Sequence, residues 1–198
     1  MKQYTYMMLK PDAFENNVDK EVIQTLENHG LHVEKSSRIQ VTLDVMKTLI
    51  EHYQEVIDTK GQAIHFPGKL FNTFYYQGPH FIMPMKVSFE GDEDIITYSR
   101  RLVGKTNPAS ADKESIRGHF SQDSYEKADK QDRLVHNVIH ASDSFESAQR
   151  ELHIWEKYLK VWFSKYEKER AFILLEFVLW YTWRKGKNMK GGLKDVGK

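Results

Sequence analysis

The stretch "NVIHASDSFESAQREL", Asn137 to Leu152, places one histidine where an apolar run gives way to a helix start. Upstream, the β-branched Val135, Val138 and Ile139 predict a buried strand over Leu134 to Ile139. Downstream, Asp143 and Ser144 offer side-chain oxygens to cap a helix, and Glu146 follows Asp143 at capping-box spacing. Phe145, Ala148, Leu152, Trp155 and Leu159 then recur at alternating steps of three and four, an apolar stripe facing a sheet. His140 therefore stands at a strand-to-helix junction, flanked by the small Ala141 and Ser142.

Working outward, Tyr4 to Leu9 reads as a first strand stopped by Pro11. Val18, Val22, Ile23 and Leu26 recur at helical spacing, and Gly30 closes that helix. Leu31 to Val41 predicts a second strand, and Thr42 or Asp44 starts a helix through Val45, Leu49, Ile50 and Tyr53. The segment from Asp58 to Pro79 is punctuated by Gly and Pro around an aromatic cluster, which predicts short helices and loops. His80 to Phe89 is a clear strand, Gly91 to Leu102 a helix, and Val103 to Phe120 an ordered loop. Ser121 to Arg133 is polar, lacks apolar periodicity and reads as a surface excursion. Strands separated by helices in this order predict an α+β, ferredoxin-like antiparallel sheet sandwich with helices on one face.

The 198 residues suffice for a real core, and 40% hydrophobic with 29% charged residues excludes general disorder. A net charge of +1 gives no global pull toward nucleic acid or a membrane surface. With 0 cysteines, disulfides, thiolate zinc sites and cysteine nucleophiles are excluded. The apolar run of the N-terminus ends at Lys10-Pro11-Asp12, too soon for a signal peptide, so a cytoplasmic protein is expected. All four tryptophans fall at or after Trp155, and the chain closes in a basic, glycine-containing tail. Ala171 to Trp183 is shorter than the roughly 20 residues needed to span a bilayer. Residues 1–158 are thus expected as the main domain, with 159–198 as a helical, basic extension docked on it or on another subunit.

The chemistry converges on His140. Side chains seven apart on a helix share a face, so Ser144, Ser147 and Glu151 line the side that His140 introduces. A carboxylate from Glu151 on one ring nitrogen would fix the tautomer and leave the other free to attack. Ser142 adds a hydroxyl within reach. Lys10 follows the first strand directly, Arg100, Arg101 and Lys105 lead into Thr106-Asn107-Pro108, and Arg117-Gly118 follows the same loop. Guanidinium forks, an ammonium and a hydroxyl on loops fit a polyphosphate, with Gly118 giving room for close approach. Together with an oriented histidine they indicate phosphoryl transfer, and the lack of a GxxxxGK[ST] loop excludes a P-loop enzyme. His136 and His140 stand at i,i+4, but on a strand that spacing separates them by ~13 Å, which argues against a histidine metal site.

The blocks "MMLKPDAF", "EHY", "GKTNPA", "IRGHF" and "NVIHASDSFESAQREL..W", in this order over Tyr4 to Trp155, closely resemble nucleoside diphosphate kinases. The resemblance implies a ferredoxin-like α+β sandwich. It also implies a ping-pong transfer of the γ-phosphate from a nucleoside triphosphate to a nucleoside diphosphate through a phosphohistidine. Mg²⁺ would be carried by the nucleotide rather than by protein ligands. On this resemblance His140 is the nucleophile and Glu151 its orienting carboxylate, with Ser142 beside it. Lys10 and Tyr53 contact the phosphate in transit, Arg100, Thr106 and Arg117 hold the phosphates, and Asn137 meets the sugar hydroxyl. Phe66 is the candidate for one side of an apolar base clamp. A homo-oligomer is implied, with no specific nucleic-acid partner and no membrane association.

Departures from the family pattern are Ala141 for the usual glycine and His119 for the usual acidic residue. The connection over residues 121–136 is longer than usual, so the other side of the base clamp has no assigned residue. The loop from Gly61 to Gly68 is also longer, and the region after Trp155 has no counterpart. These departures define a second hypothesis, a nucleotide-binding or scaffolding relative that acts through its C-terminal helix.

Overall fold

A computed structural model describes residues 1–61 and 63–160. The chain runs β1 (Lys2–Leu9), α1 (Pro11–Glu15), α2 (Asp19–Asn28), β2 (Leu31–Ser36), β3 (Ile39–Gln40), α3 (Leu43–His52), α4 (Gln54–Lys60) and α5 (Phe66–Phe74). It continues through β4 (Phe81–Glu90), α6 (Ile95–Val103), α7 (Ile116–Phe120), α8 (Tyr125–Lys130), β5 (Ile139–Ala141) and α9 (Phe145–Ile154), with 3₁₀ turns at Pro108–Ser110 and Glu156–Tyr158. The strands pair antiparallel in the order β2-β4-β1-β5, with β3 also on β4, so the expected sandwich is present.

Helices cover both faces of the sheet rather than the one expected. Alternate residues of β1 explain why: Met7 and Leu9 join a core with α2 and α6, while Tyr6 and Met8 join another with α3 and α5. A strand buried on both faces carries an unbroken apolar run, and "YMML" is such a run. Thr42 caps α3 through its hydroxyl, as one of the two expected starts. Ser144, not Asp143, caps α9, accepting the N–H of Ser147. The α9 stripe buries Ala148 and Trp155, but Phe145 is 57% exposed. That helix packs on β1, and its first turn, with Phe145 and Glu146, is exposed.

The last strand differs most from expectation. Only Ile139–Ala141 is strand, and His140 lies inside it, paired with Met8. Leu134 to Val138 cannot join the ladder because Val135 and Val138 are bonded to the turn after β1, and the N–H groups of Leu134 and His136 to Thr73 and Asp123. Lys10 donates its backbone N–H to Val138 O at 2.9 Å, and the carboxylate of Asp12 accepts the N–H of Val138 at 2.7 Å. The Lys10 ammonium donates to Val135 O at 2.7 Å. Val138 is bent to a φ of +56°, a strained conformation for a β-branched residue.

The segment 121–133 lies on the surface as expected, with most of its residues exposed, but it is firmly anchored. It carries α8, buries Ala128, and seals Arg133 against Asp123 with two charge-assisted hydrogen bonds of 2.6 and 3.1 Å. Three contacts fasten it to α5: Lys69 to Asp129, Asn72 to Asp132, and Leu134 N–H to Thr73. Its polar residues bond to each other and to α5, which is why the segment shows no apolar period. The helix expected in the C-terminal extension lies outside the described residues.

Asp12→Ala should destabilise the fold by about 2 kcal/mol, the cost of orphaning a buried backbone N–H at a strained residue. A urea midpoint lowered at unchanged slope is the expected result; an unchanged midpoint would show that Val138 is held by other contacts.

Candidate active site

The sequence-predicted residues come together. Lys10, Tyr53, Phe66, Arg100, Thr106, Arg117, Asn137, His140 and Glu151 all line one open cleft of about 890 Å³. Ser142 does not. Its hydroxyl is buried beneath, 2.5 Å from Oε2 of Glu151 and 3.1 Å from Tyr6 O, so it steadies the carboxylate instead of meeting a ligand.

His140 is presented by β5, with Ala141 in ordinary strand backbone, so alanine is accommodated where glycine is usual. Glu151, one turn from the end of α9, reaches back as expected. Both its oxygens lie 3.2 Å from His140 Nε2. With the proton held on Nε2, the lone pair of Nδ1 is left for chemistry. Burial works against the Glu151 anion, yet His140, His52 and Ser142 together hold its carboxyl below the usual value.

The cations are placed by backbone carbonyls. Arg117 extends from α7, donating Nε and Nη2 to Ile139 O at 3.2 and 2.8 Å and Nη1 to Gly104 O at 2.9 Å. Burial, with Arg100 nearby, brings its guanidinium down to about 10. Gly118 serves the loop, not a ligand: a Cβ there would stand 1.9 Å from Asp112 O. Lys10 is buried, bonded to Asn137 Oδ1 at 2.9 Å as well as to Val135, and burial lowers its ammonium to about 8. Asn137 in turn donates to Thr106 O at 2.8 Å, joining the two phosphate-type loops. Arg101 instead pairs with Glu93 and does not line the cleft.

Tyr53 stands at the end of α3, with burial raising its phenol. Phe66 lines the cleft but is itself buried, its ring centroid 5.5 Å from that of Tyr53, so it braces the tyrosine. Several cleft residues were missed in the sequence. Ile64 and Tyr125 are exposed in the lining, and Leu134 and Val135 sit beside Asn137. Tyr125 lies in the segment read as a polar surface excursion, and Leu134 and Val135 lie in the one expected as a buried strand. His52, next to Tyr53 in "EHY", is buried at the end of α3 and also lines the cleft.

Among the described residues, the histidine–carboxylate cluster with metal-ligand spacing is His52, His140 and Glu151, not the pair His136 and His140.

Comparison with known proteins gives the relatives of the chain. The family model described as nucleoside diphosphate kinase matches residues 3–161. A nucleoside diphosphate kinase of Staphylococcus haemolyticus is 37% identical over 172 residues, covering 87% of this chain and 98% of that protein. One from Methanosphaera stadtmanae is 36% identical over 158 residues, covering 78% and 86%. A Borrelia burgdorferi nucleoside-diphosphate kinase, solved as a transition-state mimic with vanadate and ADP, superposes with a TM-score of 0.68 at 25% identity, covering 85% of this chain and 96% of that one.

The depressed Lys10 ammonium generates a stability test. Its folded value of about 8 lies below the ordinary 10.5, so between those pH values the unfolded chain binds more protons. Stability contributed by this group therefore rises as pH goes from about 8 to 10.5. Relative to Lys10→Met, the wild type should gain on the order of 2 kcal/mol across that window in urea titrations. Parallel pH curves for the two proteins would contradict the shift.

Proposed function

The chain belongs to the nucleoside diphosphate kinase family, and we propose that His140 is the residue on which its reaction turns. The enzyme transfers the γ-phosphate of a nucleoside triphosphate to a nucleoside diphosphate by a ping-pong route through a phosphohistidine. The observation that supports the assignment is the grip of Glu151 on His140 Nε2, which turns the unprotonated Nδ1 into the available nucleophile.

In the first half-reaction Nδ1 attacks the γ-phosphorus. A P–N bond forms, the bond to the β-phosphate oxygen breaks, and the nucleoside diphosphate leaves with the electron pair. Glu151 offsets the positive charge that develops on the imidazole. Arg100, Arg117, Thr106 and Lys10 hold the phosphates, and Tyr53 contacts the phosphoryl group in passage. Such a transfer needs positioning and charge neutralisation above all, which carbonyl-anchored cations supply without reorganising. Asn137 meets the sugar hydroxyl with the amide N–H not spent on Thr106. Ile64 and Leu134 offer apolar surface to the base, with Phe66 behind them bracing Tyr53, which fits apolar stacking with little hydrogen-bond readout. The nucleotide brings a divalent metal, Mg²⁺ in this reading, as part of the substrate.

Residues 1–158 form the catalytic unit, with 121–136 as an insertion and 159–198 outside it. No described helix is long and apolar enough to cross a membrane, and a cytoplasmic homo-oligomer suits the reading. Support for association comes from β2, an edge strand of the sheet, and from Leu43 at the start of α3, which is 57% exposed.

Incubation with γ-labelled ATP should place acid-labile, base-stable label on His140. His140→Ala should take none, and Glu151→Ala should label at least about tenfold more slowly. A folded wild type that binds nucleotide but takes no label would overturn the enzyme reading. Separately, light scattering should return a multiple of the single-chain mass, and a monomer would refute the oligomer.

A further inference from the structure

The mechanism above leaves one buried titratable group unused. His52 is 3% exposed at the end of α3, with its ring 4.7 Å from that of His140 and edge-on to it. Tyr6 of β1, the adjoining Tyr53, His140 of β5, and Glu151 and Trp155 of α9 and its end surround it.

Its tautomer follows from one contact. Trp155 Nε1 lies 3.3 Å from His52 Nδ1. An indole N–H only donates, so Nδ1 must accept and the ring proton sits on Nε2. That Nε2 has no hydrogen-bond partner, and it stands 3.8 Å from Glu151 Oε1. The oxygen it faces is one of the two that hold His140.

We propose that His52 is a positioning residue for phosphoryl transfer: Trp155 locks it as the neutral Nε2–H tautomer, and that N–H is aimed at Glu151 to fix the carboxylate that orients His140. The inference rests on His140 being the phosphorylated group. The three side chains fill the space around the carboxylate in order. Ser142 supports Oε2 from below, His140 lies against both oxygens, and His52 closes the side of Oε1. At 3.8 Å this contact is longer than a hydrogen bond, so the Nε2–H acts on the carboxylate electrostatically. Burial, with His140 beside it, lowers His52 to about 3, so it stays uncharged beside a nucleophile that must gain charge.

The same residues have the donor set of a transition-metal site, and the tautomer argues against one. A cation on His52 Nε2 would take its lone pair and force the proton to Nδ1, donor against donor with Trp155.

The test uses full-length protein. In wild type labelled with ¹⁵N-histidine, long-range ¹H–¹⁵N spectra at neutral pH should show His52 as the neutral Nε2–H tautomer. Trp155→Phe should release it into a mixture. In single-turnover phosphorylation by saturating ATP, His52→Phe should slow labelling of His140 about tenfold, equivalent to about 1.4 kcal/mol. Half-saturating ATP should stay within about twofold, because no nucleotide contact is lost. His52→Gln, whose amide N–H can replace Nε2–H, should recover most of the rate. An Nδ1–H tautomer in the wild type, or a wild-type rate in His52→Phe, would overturn the proposal. Zn²⁺ inhibition relieved by His52→Gln would overturn it in favour of a metal site. If His52→Phe fails to fold, the wild-type tautomer and the glutamine variant still decide. Absence of label on wild-type His140 would instead refute the functional reading and leave the tautomer result standing.

Discussion

The carboxylate of Asp12 takes the backbone N–H of Val138, 126 residues away in sequence, and the active cleft depends on that bond. With the two bonds from Lys10 it staples the turn after the first strand to the segment before the last one. The staple shortens β5 to three residues and bends Val138 into positive φ. It thereby sets His140 opposite Met8 with its ring toward the cleft. The lysine that makes the staple also lines the cleft, so one short block builds the frame and supplies a cation.

Charge in the site is ordered by burial and by what each group is bonded to. Glu151 is nearly inaccessible, which alone would favour its neutral form, but three side chains around it favour the anion. Lys10 is bonded to oxygens that carry no full charge, and burial prevails in lowering it. His52 receives a donor at one nitrogen and faces an anion only at a distance, so it remains neutral. The site holds the Glu151 carboxylate against Nε2 of His140, while Lys10, Arg100 and Arg117 line the same cleft. That arrangement is what the proposed phosphoryl transfer needs, an anion behind the histidine and cations in the cleft.

Most of the frame was legible because it rests on local signals. Apolar runs bounded by Pro and Gly located β1 and β4, and helical spacing located α2, α3 and α9. Glu151 was legible as the partner of His140, since helix geometry brings a carboxylate two turns on back to the helix start. Leu134 to Val138 misled because β-branched composition reports burial, while the Asp12 and Lys10 contacts that forbid a ladder are non-local. Phe145 misled because spacing gives a face but not how much of the helix is covered. His52 gave no signal of its own: its significance comes from Trp155, 103 residues later, donating to one particular nitrogen.

The segment 121–136 shows why composition alone does not give a segment's contacts. Asp123, Asp129, Asp132 and Arg133 read as a solvated run, yet each is used. Burial alone would push Asp123 up, but Arg133 and the backbone N–H groups of His136 and Ser124 hold it at about 2. A buried pair of this kind contributes little net stability unless its geometry is satisfied, and here two parallel bonds satisfy it. The pair locks the start of the insertion to its end, and Asp123 also receives the N–H of His136, one residue before Asn137. The exposed Lys69–Asp129 contact adds little energy by itself. Its value is directional, since with Asn72 and Thr73 it seats the insertion along α5. The longer connection therefore thickens one wall of the cleft while delivering the chain to Asn137 in the register that the Asp12 staple requires.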